Sequence, residues 1–235
     1  MTLPIVILAG GLATRLGDVS IHTPKSLIPI CGRPFIEWQI ENIKNSGVSD
    51  FLICIGHLGE QISDYLGNGT KLGVNIEYSS DGPSPLGTGG AILAALNRLP
   101  DHFMITYGDS YLPTNFDRVE NHFFQLNTKA LMTVYSNTEQ REKSNCLYRD
   151  GVIKKYSKKY FSQEMNHVDY GLSVVNKSVF DLIKSQIKFD LSDTFENLSA
   201  NADLSGYEIL DRYYEIGSVQ GIRDFENYLV NNGRN

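Results

Sequence analysis

The sequence lacks any long hydrophobic run and any excess of positive charge. None of its apolar segments approaches the roughly 18–20 residues that a membrane-spanning helix needs, so we expect no membrane partner. The chain has 21 Lys and Arg against 27 Asp and Glu, which gives a formal net charge of −6. Because nucleic-acid-binding proteins usually present a basic face, this balance argues against a nucleic acid as the partner.

Cysteine and histidine are scarce and show no metal-binding spacing. The three cysteines, Cys31, Cys54 and Cys146, form no CxxC pair, and the five histidines are not spaced as metal ligands. We therefore expect reduced, buried thiols and no zinc site. The residues before the first apolar run contain no basic segment, so we expect no signal peptide and a cytoplasmic location.

Repeats, low-complexity tracts and linker-like stretches are also missing. The chain has 235 residues, of which 41% are hydrophobic and 20% charged, and these are ordinary values for a globular protein with a sizeable core. We predict a single domain over residues 1–235. Its first half would run to about residue 115, and its second half from about 116 to 235.

The first half alternates short apolar runs with helical patterns. Ile5–Leu8 is continuously apolar, as expected of a strand that is buried on both faces. Further elements are predicted as strands at 51–55, 74–78 and 102–107, and as helices from Pro34 to about Gly47, at 58–66 and at 89–99. Strand–helix alternation implies right-handed crossovers. The pattern therefore predicts an α/β fold with a mostly parallel sheet flanked by helices.

The second half has more strand and less helix between the strands. Strands are predicted at 131–135, 146–148, 152–156, 167–175 and 207–214, and helices at 179–184, 193–201 and 218–230. The dipeptide Asp150-Gly151 is typical of a hairpin turn. This half therefore predicts a smaller antiparallel sheet beside the parallel one.

A paired-glycine loop follows the first strand. It matches neither the Walker P-loop nor the dinucleotide GxGxxG pattern. Gly10 and Gly11 let the backbone approach a ligand and point N–H groups at phosphate oxygens. Arg15 can fork onto two oxygens, and Lys25 adds a point charge. We interpret the strand end and loop as a triphosphate site. The residues assigned to the nucleotide here are Leu8, Ala9, Gly10 and Gly11.

These residues resemble a known family. Gly10-Gly-Leu-Ala-Thr-Arg-Leu16, then Pro24-Lys25 and Gly32-Arg-Pro34, resembles the GGxGTRL and PK signature of the sugar-1-phosphate nucleotidyltransferases. Ala13 departs from the signature, because the family commonly has glycine there. Pro85-Leu-Gly-Thr-Gly-Gly-Ala91 resembles the second glycine loop of the family. The resemblance implies a Rossmann-like, GT-A-like fold of the nucleotide-diphospho-sugar transferase type.

The second glycine loop is where the family contacts the base and ribose, which the resemblance assigns to Gly87 and Thr88. Three glycines at a helix N-terminus would allow close approach of the backbone to the ligand. Asp81 lies just before this loop. A carboxylate can accept from the two adjacent N–H donors of guanine, which cytosine and uracil lack as a pair. We therefore expect GTP to be favoured, with CTP and UTP as alternatives.

Two carboxylates suit a magnesium ion. Asp109 comes directly after the strand predicted at 102–107, at the strand end where open α/β sheets bind ligands. In the family this aspartate holds Mg²⁺, and a second aspartate occurs where this chain has Glu215. A longer carboxylate can still reach a hard cation with a shifted geometry. The resemblance thus implies Mg²⁺ as cofactor, with Asp109 and Glu215 as its ligands.

The acceptor side is less marked in the sequence. The segment from Gly151 to Lys159 resembles the family stretch whose lysine holds the sugar phosphate, and either Lys158 or Lys159 fits; a solvated basic hairpin is the alternative. Val168-Asp-Tyr-Gly-Leu172 resembles the segment that lines the sugar. The candidates for binding the sugar phosphate are Asn145, Lys158, Asp169 and Gly171.

The resemblance implies in-line attack of a sugar 1-phosphate on the α-phosphorus of a nucleoside triphosphate, with pyrophosphate as the leaving group. Arg15, Lys25 and Asp109 would be the catalytic residues. A mannose- or heptose-type sugar is favoured, as in the synthesis of surface polysaccharide such as lipopolysaccharide or capsule.

Alternatives to this reaction remain at the level of sequence. CTP or UTP could react with another sugar phosphate or phosphorylated small molecule. A glycosyltransferase would use Asp109 with Ser110 and Tyr111 as a divalent-metal motif. A nucleotide-binding subunit without catalytic activity is a third hypothesis. A homodimer is the assembly that we would test for first.

Overall fold

The computed structural model describes residues 2–11, 22–138, 143–183 and 187–234. The strands are β1 (Ile5–Leu8), β2 (Pro29–Ile30), β3 (Arg33–Pro34), β4 (Asp50–Ile55), β5 (Asn75–Ser80), β6 (His102–Tyr107), β7 (Ser110–Tyr111), β8 (Ala130–Ser136), β9 (Cys146–Arg149), β10 (Val152–Tyr156), β11 (His167–Asn176), β12 (Leu204–Ile209) and β13 (Tyr214–Glu215). The α-helices are α1 (Phe35–Lys44), α2 (Gly59–Leu66), α3 (Gly87–Ala95), α4 (Phe116–Gln125), α5 (Leu191–Ala200) and α6 (Val219–Asn231). Short 3₁₀ helices lie at Lys25–Leu27, Thr70–Leu72, Leu96–Arg98 and Lys177–Ile183.

One mixed sheet carries strands from both halves of the chain. Its order is β5-β4-β1-β6-β11-β8-β12-β10-β9. The part formed by β5, β4, β1 and β6 is parallel throughout, as the strand–helix alternation predicted. Beyond β6 the sheet is mixed: β11 runs antiparallel to both β6 and β8, whereas β12 runs parallel to β8.

The prediction of a separate antiparallel sheet is wrong. Strand β11 pairs along Leu172–Asn176 with Thr106–His102 of β6, and this pairing joins the strands of the second half to the first sheet. Since β6 has β1 on one side only, its other edge needs a partner, and a sequence pattern does not identify that partner. The prediction of a mostly parallel sheet therefore holds only for the part of the sheet that the first half of the chain forms.

Helices cover both faces of the sheet because side chains alternate along each strand. Ile5 and Ile7 of β1 pack on one side with the apolar faces of α1, α2 and α4. Val6 and Leu8 pack on the other side with α3 and α5. A third apolar cluster lies between α1 and α6 and includes Trp38.

Helix α4 was not predicted, and β12 and β13 were predicted as one strand at 207–214. The side chain of Asn115 caps α4 by accepting from the backbone N–H of Arg118 at 3.0 Å. Phe116, Val119 and Phe123 then form a buried stripe at helical spacing. In the later segment the chain leaves the main sheet after Ile209, and the two-residue strand β13 then pairs with β7 in a small sheet of its own.

The helices show no sign of a membrane span. Across the described ranges, none combines the length and the apolar character needed to cross a bilayer.

Candidate active site

The turn at Gly108–Asp109 is the centre of the candidate site. It lies between β6 and β7, and β7 pairs antiparallel with β13 so that Glu215 is opposite Ser110. The backbone N–H of Ile216 donates to the carbonyl oxygen of Asp109 at 3.0 Å. The pairing thus brings Glu215, which lies far along the chain, to the turn that carries Asp109.

Lys25 and Asp109 form an ion pair across the site. The Nζ of Lys25 lies 2.9 Å from Oδ2 of Asp109, and the two side chains are 21% and 34% exposed. Partly exposed ion pairs contribute little to stability, so a bound ligand can exchange them at small cost. The pair therefore has a cationic and an anionic side chain next to each other at this turn.

A cavity of about 350 Å³ opens at the carboxyl ends of β1 and β6. Lys25 and Asp109 lie on its wall, together with every residue that was assigned to the nucleotide. Those residues are Leu8, Ala9, Gly10, Gly11, Asp81, Gly87 and Thr88. We call this space the first cavity. Its wall also includes Ser26 and Tyr107, which the sequence did not single out.

A second cavity of about 210 Å³ adjoins the first one. Its wall contains all the candidates for the sugar phosphate, Asn145, Lys158, Asp169 and Gly171, together with Glu215. Tyr107 and Asp109 belong to the walls of both cavities. A group bound in one cavity would therefore meet a group bound in the other beside Asp109.

The two adjacent lysines of the acceptor segment have different surroundings. The Nζ of Lys158 lies 5.1 Å from the ring centroid of Tyr107, on the wall of the second cavity. The Nζ of Lys159 instead pairs with Oδ1 of Asp193 at 2.6 Å on the surface. Of the two registers left open by the sequence, the structure has Lys158 at the cavity.

Asp169 is held in one orientation by its neighbours. Its Oδ1 accepts from the backbone N–H of Gly171 at 3.0 Å, and its Oδ2 from the hydroxyl of Tyr156 at 3.3 Å. Its own N–H donates to Oδ1 of Asn145 at 2.8 Å. Burial raises the pKa of Asp169, and the charge of Lys158 opposes that shift. Because Oδ1 of Asn145 accepts this bond, a contact from Asn145 to a ligand would be made by its amide nitrogen.

The explanation offered for the second glycine loop is wrong for Gly89 and Gly90. A Cβ on Gly89 would lie 2.2 Å from the ring of Phe189, and a Cβ on Gly90 would lie 2.6 Å from the carbonyl oxygen of Ile187. The N–H groups of both glycines donate to the carbonyl oxygen of Phe189, at 3.1 and 3.3 Å. Because these two glycines have no side chain, a segment of the second half of the chain can pack against the start of α3. A carbonyl oxygen of that segment accepts hydrogen bonds from the N–H groups there.

Asp190 follows in the same segment and was missed by the sequence interpretation. The backbone N–H of the next residue, Leu191, donates to Oγ1 of Thr88 at 2.8 Å. Burial raises the pKa of Asp190, but hydrogen bonds from Ser192 and Thr88 and the charge of Lys158 outweigh it and lower the pKa overall. The segment thus contacts the second glycine loop through Thr88, and Asp190 lies close enough to Lys158 for their charges to interact.

Asp81 supports the loop that precedes Gly87. Its Oδ2 accepts from the backbone N–H of Leu86 at 3.1 Å. Burial raises the pKa of Asp81, and the Leu86 bond partly offsets this. Each carboxylate oxygen has two acceptor positions, so the bond to Leu86 does not exhaust the acceptor capacity of Asp81.

The carboxylates at the site suit Mg²⁺, which also takes ligands from water and substrate, better than a metal ion whose ligands all come from the protein. Within the described ranges, no group of three or more His, Cys, Asp or Glu side chains has the geometry of a metal site. Asp109 and Glu215 nevertheless share the wall of the second cavity. Mg²⁺ is commonly bound by one or two carboxylates plus waters and substrate phosphates, so two carboxylates fit it. Arg15 and Ala13 lie outside the described residues.

The fold and the site define a class of protein: an α/β protein with two adjoining cavities at the strand ends that share Asp109. The chain belongs to the nucleotidyl transferase family, whose model matches residues 5–229. This bears out the family resemblance that the two glycine loops suggested.

Two of the similar proteins carry the names of nucleotidyltransferases. The chain is 26% identical over 234 residues to a D-glycero-alpha-D-manno-heptose 1-phosphate guanylyltransferase from Campylobacter jejuni, covering 97% of this chain and 99% of that one. It is 37% identical over 112 residues to an N-acetylmuramate alpha-1-phosphate uridylyltransferase from Neisseria meningitidis, covering 47% and 48%. The solved structure of HddC from Yersinia pseudotuberculosis, complexed with GMP-PN, has a TM-score of 0.81 at 22% identity and covers 97% of this chain and all of that one.

Proposed function

We propose that this protein transfers a nucleotidyl group from a nucleoside triphosphate, with GTP favoured, to a mannose- or heptose-type sugar 1-phosphate. The observation that carries the proposal is the wall that the two cavities share at Asp109. One cavity has glycines and Lys25 for a triphosphate, and the other has Lys158 for the phosphate of the acceptor. The two substrates would then meet at the α-phosphorus.

The reaction needs positioning and charge stabilisation more than acid–base chemistry. The attacking phosphate monoester is largely ionised near neutral pH, since its second pKa is about 6, and no general base is required. Lys158 would hold this phosphate in line with the bond to the leaving pyrophosphate. Lys25 would exchange Asp109 for triphosphate oxygens and stabilise the developing charge, and the resemblance gives Arg15 the same stabilising role.

Asp109 and Glu215 are the residues that would hold Mg²⁺. Bound there, the ion would neutralise phosphate oxygens of the triphosphate and of the departing pyrophosphate. In the free protein Lys25 neutralises Asp109 through their 2.9 Å ion pair. Lys25 would therefore move from Asp109 to the triphosphate as the carboxylate takes its metal-binding role.

The preference for GTP is supported from two sides. Asp81 lies on the wall of the first cavity, where its carboxylate would accept from the adjacent N–H donors of guanine. The similar protein from C. jejuni is a guanylyltransferase, and the similar HddC structure contains GMP-PN. UTP remains the second candidate, because the more identical but shorter match is a uridylyltransferase.

The test is pyrophosphate release from GTP, UTP, CTP and dTTP with Mg²⁺ and a panel of sugar 1-phosphates. Lys25→Met and Asp109→Asn are expected to lower kcat about 100-fold or more, as removal of a transition-state contact does. Lys44→Met is the matched control, since Lys44 lies on the exposed side of α1 and its Nζ donates to the carbonyl oxygen of Leu72 at 2.7 Å. Wild-type turnover by Lys25→Met would refute its assignment.

The same assay separates the remaining alternatives. Nucleotide binding without turnover would identify a silent subunit, and consumption of a nucleotide sugar would identify a glycosyltransferase. The latter has less support, because Tyr111 of its metal motif is fully buried and its hydroxyl contacts Asn42 and Arg234. A cytoplasmic location, a homodimer and a role in surface polysaccharide synthesis remain predictions.

A further inference from the structure

Helix α1 directs a buried glutamine at the turn that carries Asp109. Gln39 is only 2% exposed and lies on the helix among the apolar residues Ile36, Ile40 and Ile43. Its Nε2 donates to the carbonyl oxygen of Tyr107 at 2.7 Å and to that of Ser110 at 2.8 Å. These two carbonyl groups flank Gly108 and Asp109, so a single amide group spans the turn.

The next turn of α1 extends the same contact. Asn42 donates from Nδ2 to the carbonyl oxygen of Leu112 at 2.7 Å, and its Oδ1 accepts from the hydroxyl of Tyr111 at 3.2 Å. On the opposite side, the N–H of Ile216 holds the carbonyl oxygen of Asp109. The segment from Tyr107 to Leu112 is thus fixed between α1 and the strand that carries Glu215.

Burying Gln39 has a cost that packing does not explain. Its Oε1 is buried and has no hydrogen-bond partner among the described residues. An unsatisfied buried acceptor destabilises a fold, whereas methionine would fill nearly the same volume without a polar atom. Both facing groups are carbonyl oxygens, so only the two N–H donors of the amide satisfy them. Departures of this kind from local rules are typical of functional sites.

We propose that Gln39 is a positioning residue that fixes the direction of the Asp109 side chain through the carbonyl groups on either side of it. Gln39 is on the wall of neither cavity and acts only through the turn. The metal-binding role of Asp109 is part of the proposed function, and this inference rests on that function. The amide keeps Asp109 on the wall that both cavities share, in register with Glu215.

The test compares Gln39→Met and Gln39→Glu with a control on the same helix. Methionine donates no hydrogen bond and a glutamate carboxyl donates at most one, when it is protonated, so each variant keeps the side-chain length and no longer supplies two donors. Ile40→Val is the control, because Ile40 is fully buried next to Gln39 and the change loosens the core without touching the turn. All variants are assayed well below their unfolding temperatures.

We expect the Gln39 variants to lower kcat about 10- to 100-fold and to raise the Mg²⁺ concentration for half-maximal rate, because a displaced catalytic group has effects of this size. The KM for the nucleotide should stay near that of the wild type, since the first cavity keeps its glycines and Lys25. Ile40→Val should leave both quantities unchanged. A general loss of stability would instead affect Ile40→Val and the Gln39 variants alike. Gln39 variants with the kcat and Mg²⁺ requirement of Ile40→Val would overturn the proposal.

A readout that needs no turnover separates this inference from the proposed function. Hydrogen exchange of the peptide covering residues 107–112 is measured in the free protein. Faster exchange in Gln39→Met, but not in Ile40→Val, supports the fixing of the turn even if the wild type uses none of the nucleotides. Unchanged exchange in Gln39→Met overturns the inference, whatever the wild-type enzyme turns over.

Discussion

At the scale of single residues, Lys158 and Lys159 offer a matched comparison between a cavity wall and the protein surface. We expect Lys158→Ala to raise the KM for the sugar 1-phosphate about 10- to 100-fold, because a charge-assisted bond to phosphate contributes roughly 1.5–3 kcal/mol. Lys159→Ala should be nearly silent, since its pair with Asp193 is exposed on the surface, where solvent screening leaves an ion pair with little net effect. Steady-state kinetics with the acceptor varied at saturating nucleotide measure both.

The two lysine variants also test the register of the acceptor segment. If Lys159→Ala raised the acceptor KM and Lys158→Ala did not, the second cavity would not be the acceptor site. The KM for the nucleotide serves as an internal control, because neither lysine lies on the wall of the first cavity.

Asp81 is the residue through which we expect the choice of base to be made. Asp81→Asn replaces one acceptor of the guanine N–H pair, and we expect the ratio of kcat/KM for GTP over UTP to fall about 10- to 100-fold. Burial raises the pKa of Asp81, so its carboxylate takes up a proton at a higher pH than an exposed aspartate does. Protonation removes an acceptor, so the wild-type KM for GTP should rise as the pH is lowered toward that raised pKa.

The asparagine variant has no carboxylate to titrate, so its GTP-to-UTP ratio should depend less on pH than that of the wild type. An unchanged ratio in Asp81→Asn at neutral pH would show that another group reads the base. UTP serves as the internal control because uracil offers a single ring N–H rather than the adjacent pair.

At the scale of elements, the start of α3 and the segment at 187–189 are fitted to one another. We expect Gly89→Ala to destabilise the fold by about 1–3 kcal/mol, as overpacking does, because the new Cβ would lie 2.2 Å from the Phe189 ring. Phe189→Ala removes that ring, so the double variant should be more stable than the sum of the two single changes predicts. Urea unfolding of the four proteins measures the coupling.

Gly90→Ala distinguishes side-chain packing from backbone packing in this cycle. Its Cβ would meet the carbonyl oxygen of Ile187 at 2.6 Å, and Phe189→Ala does not remove that group. We therefore expect no rescue of Gly90→Ala. If Gly89→Ala were as stable as the wild type and only weakened nucleotide binding, the glycine would serve the ligand rather than the segment.

Elements with strong local signals could be predicted from the sequence. Strand β1 was predicted with its observed bounds, because its four consecutive apolar residues lie one residue before the paired glycines, as in a buried strand that ends in a turn. Helix α4 carried usable signals, the Asn115 cap and the stripe at Phe116, Val119 and Phe123, but they were not recognised. The polar face of this helix puts charged residues between the apolar ones, so that the stripe is inconspicuous in the sequence.

Some residues of the candidate site could likewise be predicted from the local sequence, whereas others depend on contacts between distant parts of the chain. The position of Asp109 at a cavity wall could be predicted because it directly follows a predicted strand, whereas the acceptor segment left Lys158 and Lys159 open and only the fold has Lys158 on a cavity wall. Gln39 could not, because a glutamine within an amphipathic helix is ordinarily a surface residue, and only the fold reveals its burial against Tyr107 and Ser110. Asp190 depends on a segment crossing back to α3, which no local pattern encodes.

At the scale of the whole molecule, the pairing of β11 with β6 makes the two halves of the chain parts of one sheet. Leu131 of β8 belongs to the same apolar cluster as Ile5 of β1 and Ile40 of α1. The segment at 187–189 adds a second connection on the other face, through the start of α3. A substitution that destabilises the second half of the chain should therefore also destabilise the first half.

Trp38 provides a direct way to test this coupling, because it is the only tryptophan and lies in α1, in the first half. Leu131→Ala removes a fully buried side chain from β8 and should lower the free energy of unfolding by about 2–5 kcal/mol. If the sheet unfolds as one cooperative unit, the urea midpoint reported by Trp38 fluorescence should fall together with the midpoint from far-UV circular dichroism.

Leu66→Ala in α2 is the reciprocal control, since Leu66 is 4% exposed and lies in the first half. It should shift the Trp38 and circular-dichroism midpoints by equal amounts, as Leu131→Ala does. A Trp38 transition that stays at the wild-type urea concentration in Leu131→Ala, while circular dichroism shifts, would mean that the halves unfold independently. The prediction of one domain over residues 1–235 would then be wrong, and the β6–β11 pairing would act as an interface between two units.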